Sequence, residues 1–149
     1  MNVITKSDAA EWCRARIAVD DRGRPAMPVE AERFDIPEDA GRRVALVAAH
    51  LNSRAGTSST LVWFTDWSVW PSGERPHIFD RFRASYGEHR PLIDSPGHLL
   101  SIQERHELLS LVTIGVLFLW DVYVVPEDAS FALHYSHDEY GWLGRPTAV

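Results

Sequence analysis

The side-chain pattern of residues 116–142 constrains the fold of this chain more than any other feature of the sequence. Successive residues of a β-strand point to opposite faces of a sheet. Two runs alternate in this way, one on each side of segment 126–129, where proline presets φ and aspartate favours a turn. The six apolar residues that share one face are Trp120, Val122, Val124, Phe131, Leu133 and Tyr135. The pattern therefore predicts a C-terminal β-hairpin with this face buried.

A four-residue loop would fix the register of this hairpin. The predicted pairs are Val125 with Ser130, Tyr123 with Ala132, and Asp121 with His134. A slip by one residue would carry the apolar side chains of one strand to the polar face, so the pattern favours this register. We therefore predict a cross-strand pair between Asp121 and His134.

Four helices are predicted before the hairpin. Asp8 can cap the first, with Glu11 in the reciprocal position, and a capping box at residues 101–104 opens the fourth. Proline at position 37 fits the start of the second helix. The third is expected over residues 76–86, where apolar side chains recur at helical spacing.

One further strand is predicted at residues 61–70, which are rich in β-branched and aromatic side chains. Residues 17–30 hold a weaker candidate, and segment 18–36 as a whole has no clear pattern. Together these elements predict an α+β fold, an antiparallel sheet of three or four strands with about four helices packed mainly on one face. Residues 1–149 are expected to form a single domain, because a chain of this length can bury a substantial core.

Composition limits the class of partner. The formal net charge is −6, which argues against nucleic acid, since a phosphate backbone requires a basic surface, and is compatible with a basic protein partner. A single cysteine, Cys13, excludes internal disulfide bonds and multi-cysteine zinc sites. No signal peptide or membrane-spanning run is visible in the sequence, so we expect a cytoplasmic location and no membrane contact.

The densest polar cluster follows the second strand of the hairpin and comprises His134, His137, Asp138 and Glu139. Imidazole and carboxylate groups are ligands of zinc, iron and manganese. However, His134 and His137 are three residues apart, so on a strand they would point to opposite faces. The pattern favours a solvated strand followed by a hydrogen-bonded turn, and we expect no metal and no cofactor.

A second group of interest comprises Asp66, Asp121 and His134. Both aspartates lie in apolar strand segments, where aspartate is depleted and a buried charge requires a partner. An aspartate beside His134 could form a general acid–base pair. Because no nucleophile is evident nearby, the pattern favours carboxylates that accept hydrogen bonds and fix the register of the sheet.

Three hypotheses for function follow. The sequence favours a non-catalytic protein-interaction module of bacterial type, and small acidic toxin-neutralising proteins share its size and charge. The second hypothesis is a small metal-dependent or acid–base hydrolase that uses the C-terminal Asp, His and Glu residues. The third is a self-associating structural protein, and a homodimer is compatible with all three.

The binding residues expected under the first hypothesis lie on the polar face of the hairpin and in the segment after it. Aromatic side chains near element ends are expected to stay exposed, as at protein interfaces. The expected residues are Asp121, Tyr123, His134, His137, Asp138, Glu139 and Trp142.

Overall fold

The computed structural model describes residues 1–54, 58–67, 69 and 77–149. Seven strands of this part of the chain form one antiparallel sheet: β1 (Asn2–Ile4), β2 (Glu32–Asp35), β3 (Thr60–Asp66), β4 (Gly97–Leu100), β5 (Asp121–Pro126), β6 (Ala132–Tyr135) and β7 (Tyr140–Gly144). The α-helices are α1 (Lys6–Arg14), α2 (Ala40–Asn52), α3 (His77–Ala84) and α4 (Arg105–Leu117). The strands lie in the order β1-β4-β3-β5-β6-β7-β2. The predicted α+β class is confirmed, whereas the predicted number of strands, three or four, is wrong.

Local capping sets the helix starts. Thr5, not Asp8, is the N-cap of α1, and Asp8 occupies the position three residues on, which the prediction had given to Glu11. The hydroxyl of Thr5 accepts the backbone N–H of Asp8, and the carboxylate of Asp8 accepts the N–H of Thr5. The capping box at Ser101 and Glu104 is confirmed, and a single 3-10 turn leads from it into α4. No helix within the described residues is long and apolar enough to cross a membrane.

The helices cover the sheet on both faces, but unequally. The core on one face includes side chains of α2, α3 and α4 together with Val62, Val122 and Leu133 of the sheet. A smaller core on the opposite face, here called the α1 face, joins Cys13 of α1 to Trp63 and to side chains of β5 and β6. No residue of β7 or β2 belongs to that smaller core within the described part of the chain. The α1 face is therefore less covered toward β7 and β2.

The predicted hairpin is present only in part. β5 and β6 are adjacent antiparallel strands, and the six residues predicted for the apolar face are all buried in the larger core. The register is shifted by two residues, however, so that Tyr123 lies opposite His134 and not Ala132. The predicted cross-strand pair of Asp121 with His134 is therefore wrong. Because the shift is even, each side chain remains on its predicted face.

The turn explains the shift. Pro126 is the last residue of β5, so the chain turns one residue later than predicted. The carboxylate of Asp128 then accepts the backbone N–H of Ser130 at 3.0 Å, and Ala129 adopts a φ of 52°. The sheet also continues past this hairpin, because β7 pairs with β6 and the chain does not end in β6.

The strands that the prediction missed are short. β1, β2, β4 and β7 are three to five residues long, which leaves little room for an alternating pattern. The candidate strand at 17–30 is reduced to isolated bridges, one from Ile17 to Ala148 and one from Val19 to Pro25. The predicted strand at 61–70 ends at Asp66, and its residues 68 and 70 lie outside the described residues.

Candidate functional site

A row of cross-strand neighbours crosses the α1 face of the sheet. In order from β3 to β2 it consists of Trp63, Tyr123, His134, Trp142 and Arg33. Side chains directly opposite each other on neighbouring strands contact one another on the same face. Trp63 and Tyr123 are buried, His134 and Trp142 are half-buried, and Arg33 is exposed. The sheet register therefore brings together three of the predicted binding residues, Tyr123, His134 and Trp142. The row runs from the half of the face that α1 covers to the half that it leaves open.

The centre of this row is a stacked pair. The rings of Tyr123 and His134 are nearly parallel, with an interplanar angle of 11° and centroids 4.2 Å apart. Burial raises the pKa of Tyr123 to about 12, although Arg24 opposes the shift. Burial also lowers the pKa of His134 to about 4, against the opposing charge of Asp121. Both side chains are therefore neutral near neutral pH, which makes His134 a weak general base.

Asp121 contacts a different histidine from the one predicted. Its Oδ1 accepts the backbone N–H of His137 at 2.6 Å and lies 2.8 Å from the Nδ1 of the same residue. Burial lowers the pKa of His137, but the hydrogen bond and charge of Asp121 outweigh it and leave the pKa above its ordinary value. The buried carboxylate of Asp121 thus attaches the β6–β7 turn to the first residue of β5.

Asp66 lies next to this attachment. A β-bulge in β3 places Asp66 opposite Asp121, and the side chain of Asp66 is exposed. Its charge contributes to raising the pKa of His137 and of Tyr123. The structure thus brings the three predicted catalytic candidates, Asp66, Asp121 and His134, into one neighbourhood. The single cysteine, Cys13, is buried in α1, and burial raises its pKa to about 12.

Arg24 is a member of this neighbourhood that the sequence analysis missed. It lies in the segment without a clear pattern, beyond a turn at Gly23, whose φ is +77°. Asp20 accepts the Nε–H of Arg24 at 3.1 Å and the backbone N–H groups of Arg22 and Arg24. The charge of Arg24 acts on both rings of the stacked pair. The sequence of this segment carries no local signal that Arg24 approaches β5.

The four candidate metal ligands do not form one site. Glu139 has a φ of 64° and its carboxylate lies 3.6 Å from the guanidinium of Arg43. The carboxylate of Asp138 is mostly exposed, and its Oδ1 lies 3.5 Å from the Nε2 of His137. Among the described residues, no three His, Cys, Asp or Glu side chains are arranged to hold a metal ion.

The open half of the α1 face carries a polar and aromatic surface, which we name the β7–β2 patch. The patch comprises Arg33, Asp35, His137, Asp138, Tyr140 and Trp142. The rings of Tyr140 and Trp142 meet edge to face with centroids 6.2 Å apart, and the guanidinium of Arg33 lies 4.7 Å from the centroid of Tyr140. Asp35 is exposed and directly opposite Tyr140. Three predicted binding residues, His137, Asp138 and Trp142, therefore belong to this patch, whereas Glu139 points to Arg43.

Replacing His134 by phenylalanine is expected to flatten the dependence of stability on pH. The pKa of His134 falls from 6.5 to about 4 on folding, so the unfolded chain binds an extra proton between these values and stability drops as the pH falls. Phenylalanine keeps a ring against Tyr123 but binds no proton. The free energy of unfolding should therefore fall between about pH 7.5 and about pH 5 by up to about 2 kcal/mol more in the wild type than in the variant. Urea titrations at both pH values measure this difference.

The matched control for this experiment is His106→Phe, which changes an exposed histidine on α4. Its stability should follow the wild-type dependence on pH. His137 acts in the opposite sense, because its pKa is raised and its stabilising contribution fades as the pH rises above that pKa. An unchanged pH dependence in His134→Phe would show that His134 is not held neutral by burial.

Comparison with protein-family models, with curated proteins and with solved structures found no match to this chain.

Proposed function

We propose that this chain is a non-catalytic protein-interaction module that binds a basic protein partner through the β7–β2 patch. One observation carries the proposal: exposed and half-exposed Tyr, Trp, Arg and Asp side chains lie together on the half of the α1 face that α1 does not cover. Tyrosine, tryptophan and arginine are the residues that contribute most to binding at protein interfaces.

The residues of the patch are held in place by the sheet in the absence of a partner. Tyr140 and Trp142 lie on β7, which is paired on one side with β6 and on the other with β2. The turn that carries His137 is attached to the sheet through Asp121. A surface that is already ordered loses little conformational entropy on binding, and this supports a role in recognition.

Charge selects the class of partner. Asp35 and Asp138 present exposed carboxylates, while the guanidinium of Arg33 lies against Tyr140. The whole chain carries a formal charge of −6. Both features favour fast association with a basic protein and slow association with an acidic one. Neutralisation of a basic toxin in a bacterial cytoplasm is the specific form of this proposal that matches the size and charge of the chain.

The interaction proposal is tested by affinity capture from the source organism. The bait variant Tyr140→Ser/Asp138→Lys removes one aromatic anchor and reverses one charge of the patch. The control Tyr86→Ser/Asp94→Lys makes the same changes at exposed positions after α3 and before β4. We expect wild type and control to retain the same basic protein, and the patch variant to bind it at least about thirtyfold more weakly. Equal retention by all three baits, or no retained protein, would count against the proposal.

An acid–base hydrolase is the second candidate, and the contact of Asp121 with His137 favours it. A carboxylate that accepts the Nδ1–H of a histidine orients the imidazole and stabilises its protonated form. Under this alternative, a hydrolase screen should find an activity that His137→Gln abolishes and that His106→Gln leaves intact. Metal analysis of protein purified without a chelator or a metal-affinity tag separates the metal-dependent form from the metal-free one.

Self-association is the third candidate. Its support is that β2 lies at one end of the strand order, so one edge of β2 pairs with no other described strand. Charged residues Glu32, Arg33 and Asp35 line this edge strand, and charges on an edge oppose pairing with a second copy. Light scattering at increasing concentration measures the outcome directly. A stable dimer that Arg33→Glu dissolves would place the interface at this edge.

A further inference from the structure

A cavity of about 300 Å³ opens on the α1 face near the end of β3, and none of its lining residues belongs to the β7–β2 patch. Its basic lining groups come from two separate segments, Lys6 at the start of α1 and Arg22 and Arg24 in the following loop. The acidic side chain in the lining is Asp66. In a chain with a net charge of −6, this cavity is thus a local site of positive charge.

Two of the three cations are available to a ligand. Arg24 is paired with Asp20, with a distance of 3.1 Å between Nε and Oδ2. The side chains of Lys6 and Arg22 are exposed, and neither forms an ion pair with another described residue. An anion entering the cavity would therefore gain two charge partners without breaking an existing pair.

Most of the remaining lining is apolar, and much of it is aromatic. It includes the buried Trp63 and Phe64, the half-buried Trp67, and the exposed side chain of Ile93. Aromatic walls favour flat, apolar groups through edge and face contacts. The volume is at the lower end of the range for pockets that hold small molecules. Two cations without ion-pair partners among the described residues and an aromatic wall in the same lining together fit a ligand with one anionic end and one ring.

Thr65 adds an unused polar group to the same lining. Its hydroxyl is buried and has no hydrogen-bond partner among the described residues. A buried hydroxyl without a partner is costly, so such groups are uncommon in native structures. A ligand oxygen could satisfy this group.

We propose that the cavity binds a small aromatic carboxylate. The carboxylate lies between Lys6 and Arg22, and the ring contacts Trp67 and Ile93. The proposed site goes beyond the interaction surface and shares no residue with it, although the charge of Asp66 in the lining acts on His137 of the patch.

The test uses benzoate, neutral benzamide and inorganic phosphate as probes of the wild-type protein, with binding followed by NMR and by tryptophan fluorescence. Benzoate is expected to bind saturably with a Kd of about 1 mM, as suits a ligand of this size. Benzamide has nearly the same shape but no charge, and phosphate has charge but no ring. Both are expected to bind at least about tenfold more weakly than benzoate.

Variants locate the site. Lys6→Gln/Arg22→Gln should weaken benzoate binding at least about tenfold, whereas Arg42→Gln/Arg145→Gln, at exposed positions elsewhere, should leave it unchanged. Saturable benzoate binding that only the first variant loses would support the proposal. The absence of saturable benzoate binding, equal binding of benzamide or phosphate, or equal binding by both variants would overturn it.

Discussion

Replacement of Asp121 by alanine should lower the free energy of unfolding by about 3 kcal/mol, one of the largest effects expected for a polar residue here. Asp121 is only 7 % exposed and accepts two hydrogen bonds from His137, one from its backbone and one from its ring. Removal of the carboxylate would leave a partly buried amide without an acceptor and would release the β6–β7 turn. Urea titration at neutral pH measures the loss.

Two related variants test whether this loss comes from the hydrogen bonds and charge of the Asp121 carboxylate. Asp121→Asn keeps an oxygen that can accept the amide of His137 but loses the charge, so it should cost about half as much as alanine. Asp138→Ala removes a neighbouring carboxylate that is mostly exposed and should change stability by less than about 0.5 kcal/mol. If Asp121→Ala were as stable as Asp138→Ala, the attachment of the turn would not depend on the carboxylate.

A single methyl group at Gly141 should be similarly destabilising, by about 3 kcal/mol. A Cβ at this position would lie 2.2 Å from Cζ of Phe34 and 2.5 Å from the backbone oxygen of His134. The ring of Phe34 could shift, but the carbonyl of His134 is part of the strand beside β7. Gly141→Ala should therefore push β7 away from β6 and disturb the β7–β2 patch.

Gly41→Ala is the matched control for this prediction. Gly41 lies in the first turn of α2 and an added Cβ would approach only the carboxylate of Asp39, at 3.3 Å. Alanine is a better helix former than glycine, so this change should be neutral or should stabilise the protein by up to about 1 kcal/mol. Thermal unfolding of both variants gives the comparison, and equal stabilities would contradict the packing described at Gly141.

Alternation along the chain was sufficient to predict which face of β5 and β6 is buried. The burial of Trp120, Val122 and Leu133 on one face follows from their spacing alone. The register could not be obtained in the same way, because a shift by two residues leaves both faces unchanged. It depends on where the turn starts, and that depends on the pairing of Pro126 with Thr60 in β3, far away in the sequence.

The prediction of which histidine contacts Asp121 depended on the predicted register. A mid-strand aspartate in apolar surroundings did indicate a carboxylate that needs a hydrogen-bond donor. The sequence offered His134 and His137 within reach, and an error of two residues in the register was enough to select the wrong one. The same error hid the stacking of Tyr123 on His134, which follows only once those two residues are opposite each other.

The β7–β2 patch could be predicted only in part. His137, Asp138 and Trp142 were recognised from their dense polar and aromatic sequence, but Arg33 and Asp35 lie about a hundred residues earlier in a strand too short to show a pattern. Their position beside Tyr140 is a property of the sheet order, in which the second strand of the chain pairs with the last. Long-range pairing of this kind leaves no local signal.

The most direct test of the proposed function is carbodiimide labelling of surface carboxylates, with and without the partner obtained by affinity capture. Asp35 and Asp138 are exposed within the patch, and Glu11 and Asp94 are exposed outside it. We expect the partner to protect Asp35 and Asp138 from labelling while Glu11 and Asp94 react equally in both samples. Protection of Glu11 or Asp94 with full labelling of Asp35 and Asp138 would place the interface elsewhere and contradict the proposal.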